Sequence, residues 1–154
     1  VGIDFGYSQD VAAVCEVGKV GDKVFVHEWL YKKGMTHRDL AEFLKDNNLN
    51  EKLTFCDSAE PKSIEELKQM NVWAKPSIKG QGSVNAGISL LKEFDIIISN
   101  ESINFRKEQQ SYLWEELKDG TIINKPVDKM NHLMDSLRYC VYSKYKNRND
   151  FFVV

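Results

Sequence analysis

Three aspartates and a histidine stand where side chains from distant parts of the chain could work together: Asp4, Asp57, Asp135 and His132. Asp4 alternates with the apolar residues Val1, Ile3 and Phe5, so on a strand it points to the opposite face. Asp57 closes the apolar segment that begins at Leu53, and the carboxyl ends of parallel strands are where open α/β sheets bind ligands. His132 and Asp135, three residues apart, share one face of a helix whose other face carries Met130, Leu133, Met134, Leu137 and Val141. Taken singly, each has a plain structural use. Asp4 would serve to start the turn at Gly6, Asp57 to bond the loop before the next helix, Asp135 as a solvated helix charge and His132 as an ordinary helix histidine. Taken together, converging carboxylates repel one another unless cations lie between them, and hard oxygen ligands favour Mg²⁺ or Mn²⁺ over zinc. The chemistry this suits is phosphoryl transfer, in which two ions about 3.5 to 4 Å apart activate a water and stabilise the leaving oxygen of a phosphodiester. Asp4 is placed to bridge the ions, Asp57 and Asp135 to complete one shell each, and His132 to ligate, orient the water or hold Asp135.

The elements that must bring these residues together can be read from periodicity and turn chemistry. Strands are expected at Val1 to Phe5, Val11 to Val17 and Val24 to Tyr31, with Gly6-Tyr7-Ser8 and Gly18-Lys19-Val20-Gly21-Asp22 at the breaks, which predicts an antiparallel meander. Thr36 with Asp39 resembles a capping box for a helix carrying Leu40, Phe43 and Leu44 up to Asn47-Asn48. A short strand at Leu53 to Asp57 precedes a second helix, which Ser63 and Glu66 are expected to cap. A strand at Val72 to Ala74, a basic loop from Lys75 to Gly82, a helix from about Val84 to Phe94 and a strand at Asp95 to Ser99 follow. After a helix from about Glu101 to Gln110, Tyr112 to Ile123 reads as a hairpin turning at Lys118-Asp119-Gly120. A long helix from about Asp128 to Tyr145 ends the regular structure, and Phe151 to Val154 form an apolar tail. A meander followed by alternating helices and strands predicts an α/β mixed sheet with helices on both faces, in which the Leu53 strand lies beside the first and brings Asp57 next to Asp4.

Composition narrows the classes. At 154 residues and 42% hydrophobic content the whole chain, 1–154, is expected to form one domain. With 29% charged residues and no apolar run of the roughly 18 to 20 residues a membrane span requires, it is expected to be soluble. Cys15, Cys56 and Cys140 lie far apart without a CxxC pair, which argues against a disulfide scaffold or structural zinc and for a reduced compartment. A net charge of −2 leaves any polyanion binding to local patches or metal ions. Beginning at Val1 inside a strand and without a signal peptide, the chain reads as a piece of a longer protein.

Three segments carry a family resemblance: Gly2-Ile3-Asp4-Phe5-Gly6-Tyr7-Ser8-Gln9-Asp10, Cys56-Asp57-Ser58-Ala59-Glu60-Pro61-Lys62-Ser63-Ile64, and Asp128-Lys129-Met130-Asn131-His132-Leu133-Met134-Asp135-Ser136-Leu137-Arg138-Tyr139. In this order, across nearly the whole chain, they resemble the C-terminal nuclease domain of the large terminase subunit of tailed bacteriophages. The resemblance implies an RNase H-like fold, a two-metal site and metal-dependent cleavage of concatemeric viral DNA at the start and end of packaging, with catalytic acids at Asp4, Asp57 and Asp135 and His132 near them. It also implies double-stranded DNA, an upstream packaging ATPase domain of the same chain, the portal and the small terminase subunit as partners, in the cytoplasm of an infected bacterium. Val11 stands where family members often carry proline, and Leu133 and Ser136 where alanines are common, changes of packing that leave the acids in place. No GxxxxGK[ST] phosphate loop occurs, so the motor half is not in this chain.

Lys75, Lys79, Lys129 and Arg138 are the candidate phosphate contacts, in a chain whose C-terminal third is locally basic; each would serve equally as ordinary surface charge. The Tyr112 to Ile123 hairpin resembles an insertion near the family's active site and is expected to gate DNA. The isolated domain is expected to be monomeric. Three other readings compete. Gly2 to Gly6 also resembles the first phosphate turn of actin-like and Hsp70-like ATPases, which would need a second domain and a second glycine-rich turn. Another RNase H-like nuclease, such as a junction resolvase or an RNA-cleaving enzyme, would use the same three acids. A non-catalytic module would only dock on DNA or the portal.

Overall fold

A computed structural model describes residues 1–6, 10–111, 114–116, 122–126 and 131–146. The expected meander is present: β1 (Gly2–Asp4) pairs antiparallel with β2 (Val11–Val20), and β2 with β3 (Lys23–Lys33). The crossover helix α1 (His37–Asp46) opens at Thr36, whose hydroxyl accepts the Asp39 N–H while the Asp39 carboxylate accepts the Thr36 N–H, the reciprocal box expected from the two residue types. It returns the chain to β4 (Thr54–Cys56), which lies parallel to β1 with Ile3 opposite Cys56. One residue further along that register, Asp4 and Asp57 come level at the same end of the sheet.

Helix α2 (Pro61–Gln69) starts earlier than its sequence suggests, and Ser63 does not cap it. Proline takes the first helical position, where its missing N–H costs nothing, and the Ser63 hydroxyl donates to Glu60 instead. Strand β5 (Ala74–Pro76) lies later than Val72 to Ala74 and includes the proline that reads as loop. As the edge strand beside β4, it can hold a residue without an N–H. Helix α3 (Ser83–Leu91) leads to β6 (Asp95–Ile98), parallel to β3 at the other edge, giving the order β5-β4-β1-β2-β3-β6. Helix α4 (Ile103–Ser111) precedes an antiparallel pair, β7 (Trp114–Glu116) and β8 (Ile122–Pro126). The turn at Lys118 to Gly120, Lys129 and the Phe151 to Val154 tail lie outside the described residues. Helix α5 (His132–Tyr145) completes the fold. Among the described residues no helix is long and apolar enough to cross a membrane.

The sheet separates two cores, as its alternation requires. Ile3 and Val14 face α1 and α2, where Leu40, Leu44, Ile64 and Leu67 close over them. Ala13, Cys15, Val24 and Val26 face the other way, toward Leu90 and Leu91 of α3, Phe105 of α4 and Leu133, Leu137 and Val141 of α5. Gly2 and Asp4 belong to this second face. A Cβ on Gly2 would stand 2.0 Å from the Ser136 carbonyl oxygen, so only glycine lets α5 lie this close to β1. Burying the three α5 side chains is worth at most about 5 to 9 kcal/mol, more than the cost of burying one acid beneath the helix.

Candidate active site

Asp4 is the innermost acid. Its side chain is 15% exposed, and Oδ2 lies 2.9 Å from His132 Nδ1. Burial pushes the carboxyl up to about 6; the His132 hydrogen bond works against this, and the charges of Asp135 and Asp57 push the same way as burial. The cost of that displacement is about 3 kcal/mol, within what the docking of α5 supplies. His132 Nε2 in turn lies 3.0 Å from Asp10 Oδ1. With a carboxylate at each ring nitrogen both must donate, so the arrangement suits the imidazolium. The ring's pKa is raised, first by the Asp4 hydrogen bond, while burial opposes it.

Asp57 leaves the end of β4, where its Oδ1 accepts the Ala59 N–H at 2.9 Å, the loop-bonding use its position allows. The same oxygen lies 3.7 Å from Lys79 Nζ on the loop after β5. Asp135 occupies the first turn of α5, where a negative charge complements the helix dipole. Arg138 donates to its Oδ1 from Nε at 3.2 Å and from Nη2 at 2.9 Å, and Asn131 Nδ2 donates to Oδ2 at 3.3 Å. The three acids therefore share one end of the sheet, each beside its own cation. Tyr139 records their convergence: its hydroxyl is held protonated by burial first and then by the charges of Asp4, Asp135 and Asp57.

Of the candidate phosphate contacts, Lys79 reaches Asp57, and Lys75 lies on the exposed Trp73 with Nζ 5.9 Å from the ring centre. Arg138 is not a surface charge. It is 8% exposed, bonded to Asp135 and stacked on Tyr139 at 4.8 Å, with its aliphatic stem against Gly87 of α3, where a Cβ would come within 2.7 Å. Sequence reasoning missed Asp10 as a partner of His132, Asn131 as a partner of Asp135, and Glu108 altogether. Only the first two lie in segments whose motifs drew attention. Among the described residues no three His, Cys, Asp or Glu side chains are already closed to metal-ligand geometry. The donor set nevertheless fits a hard divalent cation: three carboxylates converge, and burial together with their mutual repulsion shows on Asp4.

The profile of the family described as terminase RNAseH like domain matches residues 4–143. The chain belongs to this family. The terminase large subunit of Bacillus phage SPP1 is 28% identical over 144 residues, 90% of this chain and 34% of that protein. The PBSX phage terminase large subunit of Bacillus subtilis is 26% identical over 143 residues, 91% of this chain and 33% of that one. This terminase domain thus spans about a third of the length of these curated relatives. Among solved structures, the large terminase nuclease domain of bacteriophage SPP1, crystallised with bound manganese, superposes with a TM-score of 0.81 at 29% identity, covering 93% of this chain and 84% of that one. The RNase H-like mixed sheet expected from the three motifs is therefore the fold observed.

Proposed function

We propose that this terminase domain is a divalent-metal-dependent endodeoxyribonuclease that cuts concatemeric viral DNA during genome packaging, with Asp4, Asp57 and Asp135 as its metal ligands. The observation that carries the proposal is the convergence of three carboxylates from β1, the end of β4 and α5, with Asp4 buried deeply enough to be raised to about 6. Mg²⁺ or Mn²⁺, two ions in this reading, would supply activation of the attacking water and stabilisation of the leaving oxygen. The chain's own groups set the stage for that chemistry. Asp4 feels the charges of both other acids and would be suited to serve both ions. His132 holds Asp4 Oδ2 in place and can accept or return a proton at Nδ1 or Nε2 once a carboxylate partner is otherwise engaged. Arg138 fixes Asp135, and Lys79 is free to trade Asp57 for a DNA phosphate because its side chain is 61% exposed. In this reading Lys75 and Lys129 would add phosphate contacts, Arg138 would meet a phosphate from beside Asp135, and the 112–123 hairpin would gate access. The manganese in the related SPP1 structure supports the choice of ion. In the working motor the domain, monomeric by itself, acts with a packaging ATPase on the same chain, the small terminase subunit and the portal, in the host cytoplasm.

The test is incubation with supercoiled plasmid in Mn²⁺, Mg²⁺ and EDTA, with Asp57→Asn and Asp135→Asn run in parallel. Metal-dependent nicking and linearisation, absent from both variants, is the expected result. A wild-type domain that binds DNA but leaves the plasmid intact in every metal contradicts autonomous nuclease activity and favours a docking role. Cleavage confined to RNA or to junctions redirects the same site to another substrate.

A further inference from the structure

Glu108 is a carboxylate in the wrong place for a surface helix. It sits near the end of α4 with 0% exposure. Its Oε2 accepts the Leu133 N–H at 2.7 Å and the Met134 N–H at 3.1 Å. These are among the first N–H groups of α5, which have no partner within their own helix. Asn131, the residue in the capping position, supplies no side-chain bond to them because its amide is turned to Asp135. The cap of α5 therefore comes from another helix, 25 residues back in the chain.

That helix is itself tied down. Glu28 on β3 accepts the Phe105 N–H at 2.9 Å and the Asn104 amide at 2.6 Å, which holds the first turn of α4 to the sheet. A route of charged hydrogen bonds thus runs from β3 through α4 to the residues on either side of the active-site pair: Leu133 follows His132, and Met134 precedes Asp135. Tyr31 closes the same corner. Its hydroxyl is near enough to feel the Glu108 charge, and its ring centre lies 6.4 Å from that of His132. Glu108 Oε1, fully buried, has no hydrogen-bond partner among the described residues. A local Ser, Thr or Asp at position 131 would cap the helix without burying an incompletely bonded carboxylate. What the buried acid adds is a fixed depth for the helix start, referred to the sheet.

We infer that Glu108 is a positioning residue of the metal site: its carboxylate pins the first turn of α5 against α4 and so sets His132 and Asp135 where they meet Asp4. The inference rests on the nuclease reading for its consequence in catalysis, but its structural content is separate. Glu108→Gln keeps the size and one acceptor oxygen while removing the charge; Glu108→Ala removes the cap.

The test uses the 154-residue chain, with Asp135→Asn as reference. Free Mn²⁺ is followed by electron paramagnetic resonance, the Leu133 and Met134 amides by NMR, and folding by urea titration. In Glu108→Gln the fold is expected to persist, both amide protons to move upfield and Mn²⁺ to bind roughly 10- to 100-fold more weakly, the range seen when groups behind metal ligands are changed. Plasmid cleavage should return toward the wild-type maximum as Mn²⁺ is raised, because the ligands themselves are intact. Should Glu108→Ala not fold, Glu108→Gln decides. A folded Glu108→Gln domain that binds Mn²⁺ like wild type, while Asp135→Asn does not, overturns the inference and leaves the nuclease reading standing. Tight, Glu108-dependent Mn²⁺ binding without cleavage does the reverse.

Discussion

The two outer acids of the site are held in opposite ways. Asp135 sits on a helix, 17% exposed, gripped through two nitrogens by an arginine whose side chain is 9% exposed. Asp57 sits at a strand end, 24% exposed, and faces a lysine that is 61% exposed on a glycine-bearing loop, at 3.7 Å. Planar, forked guanidinium in a buried setting fixes its partner, whereas a solvated ammonium at that distance contributes little and is easily displaced. The site thus pairs one proposed ligand of set orientation with one whose partner can leave, beside an Asp4 pinned by His132. On the nuclease reading, such an arrangement would hold the three carboxylates together and release a coordination position when DNA arrives.

The largest effect that probes this contrast should come from the acids themselves. Asp57→Asn and Asp135→Asn are both expected to lower plasmid cleavage beyond the roughly 100-fold typical of groups behind metal ligands, despite their different surroundings. If only one of them matters, the two acids do not act as equivalent ligands. Their cations should separate the two sides. Arg138→Ala is expected to destabilise the domain by about 3 to 5 kcal/mol in urea titration, because it leaves Asp135 buried beside other carboxylates. Lys79→Ala should change stability by less than about 1 kcal/mol, with any loss of cleavage appearing as weaker DNA binding. Equal destabilisation by both would erase the distinction.

Between these extremes lies the pH dependence. Asp4 is raised to about 6 in the fold, so over the range from about pH 4 to pH 6 the native chain holds a proton that the unfolded chain has lost, and stability falls as pH rises. His132, also raised, contributes stability that is present below its unfolded value and is lost as pH rises through its folded one. Both act in the same direction, while Glu16 and Asp39, which are lowered, lose their contribution only as the pH drops into the carboxylate range. In EDTA the urea midpoint should therefore drop between pH 5 and pH 8, by the equivalent of about 1.4 kcal/mol for Asp4. Asp4→Asn should flatten that drop. A midpoint that rises with pH in the wild type would mean that the acids are not crowded.

How much of this was legible beforehand follows from the range of each interaction. The alternation around Asp4, the strand end at Asp57 and the spacing of His132 and Asp135 are local patterns, and the crossover through α1 brings the first two level. Thr36 and Asp39 cap α1 as their types suggest, yet Ser63, of an equally suitable type, does not cap α2, because that helix starts three residues sooner, at Pro61. Pro76 looked like loop because a sequence does not say which strand will lie at an edge. Asp10 reaches His132 across more than a hundred residues, and Glu108 caps a helix from outside it. These contacts exist only once α4 and α5 are packed on the sheet, so no periodicity announces them. Arg138 reads as surface charge for the same reason: the space that buries its stem is made by Gly87 on another helix.

The central claim is that Asp4, Asp57 and Asp135 jointly hold divalent cations. Crystals of the domain soaked in Mn²⁺ and measured at the manganese absorption edge test it most directly. The account predicts anomalous peaks in contact with the Asp4 carboxylate, one shared with Asp57 and one with Asp135, with Lys79 withdrawn from Asp57. Peaks confined to other surface acids, or none at Asp4 at millimolar Mn²⁺, would contradict it.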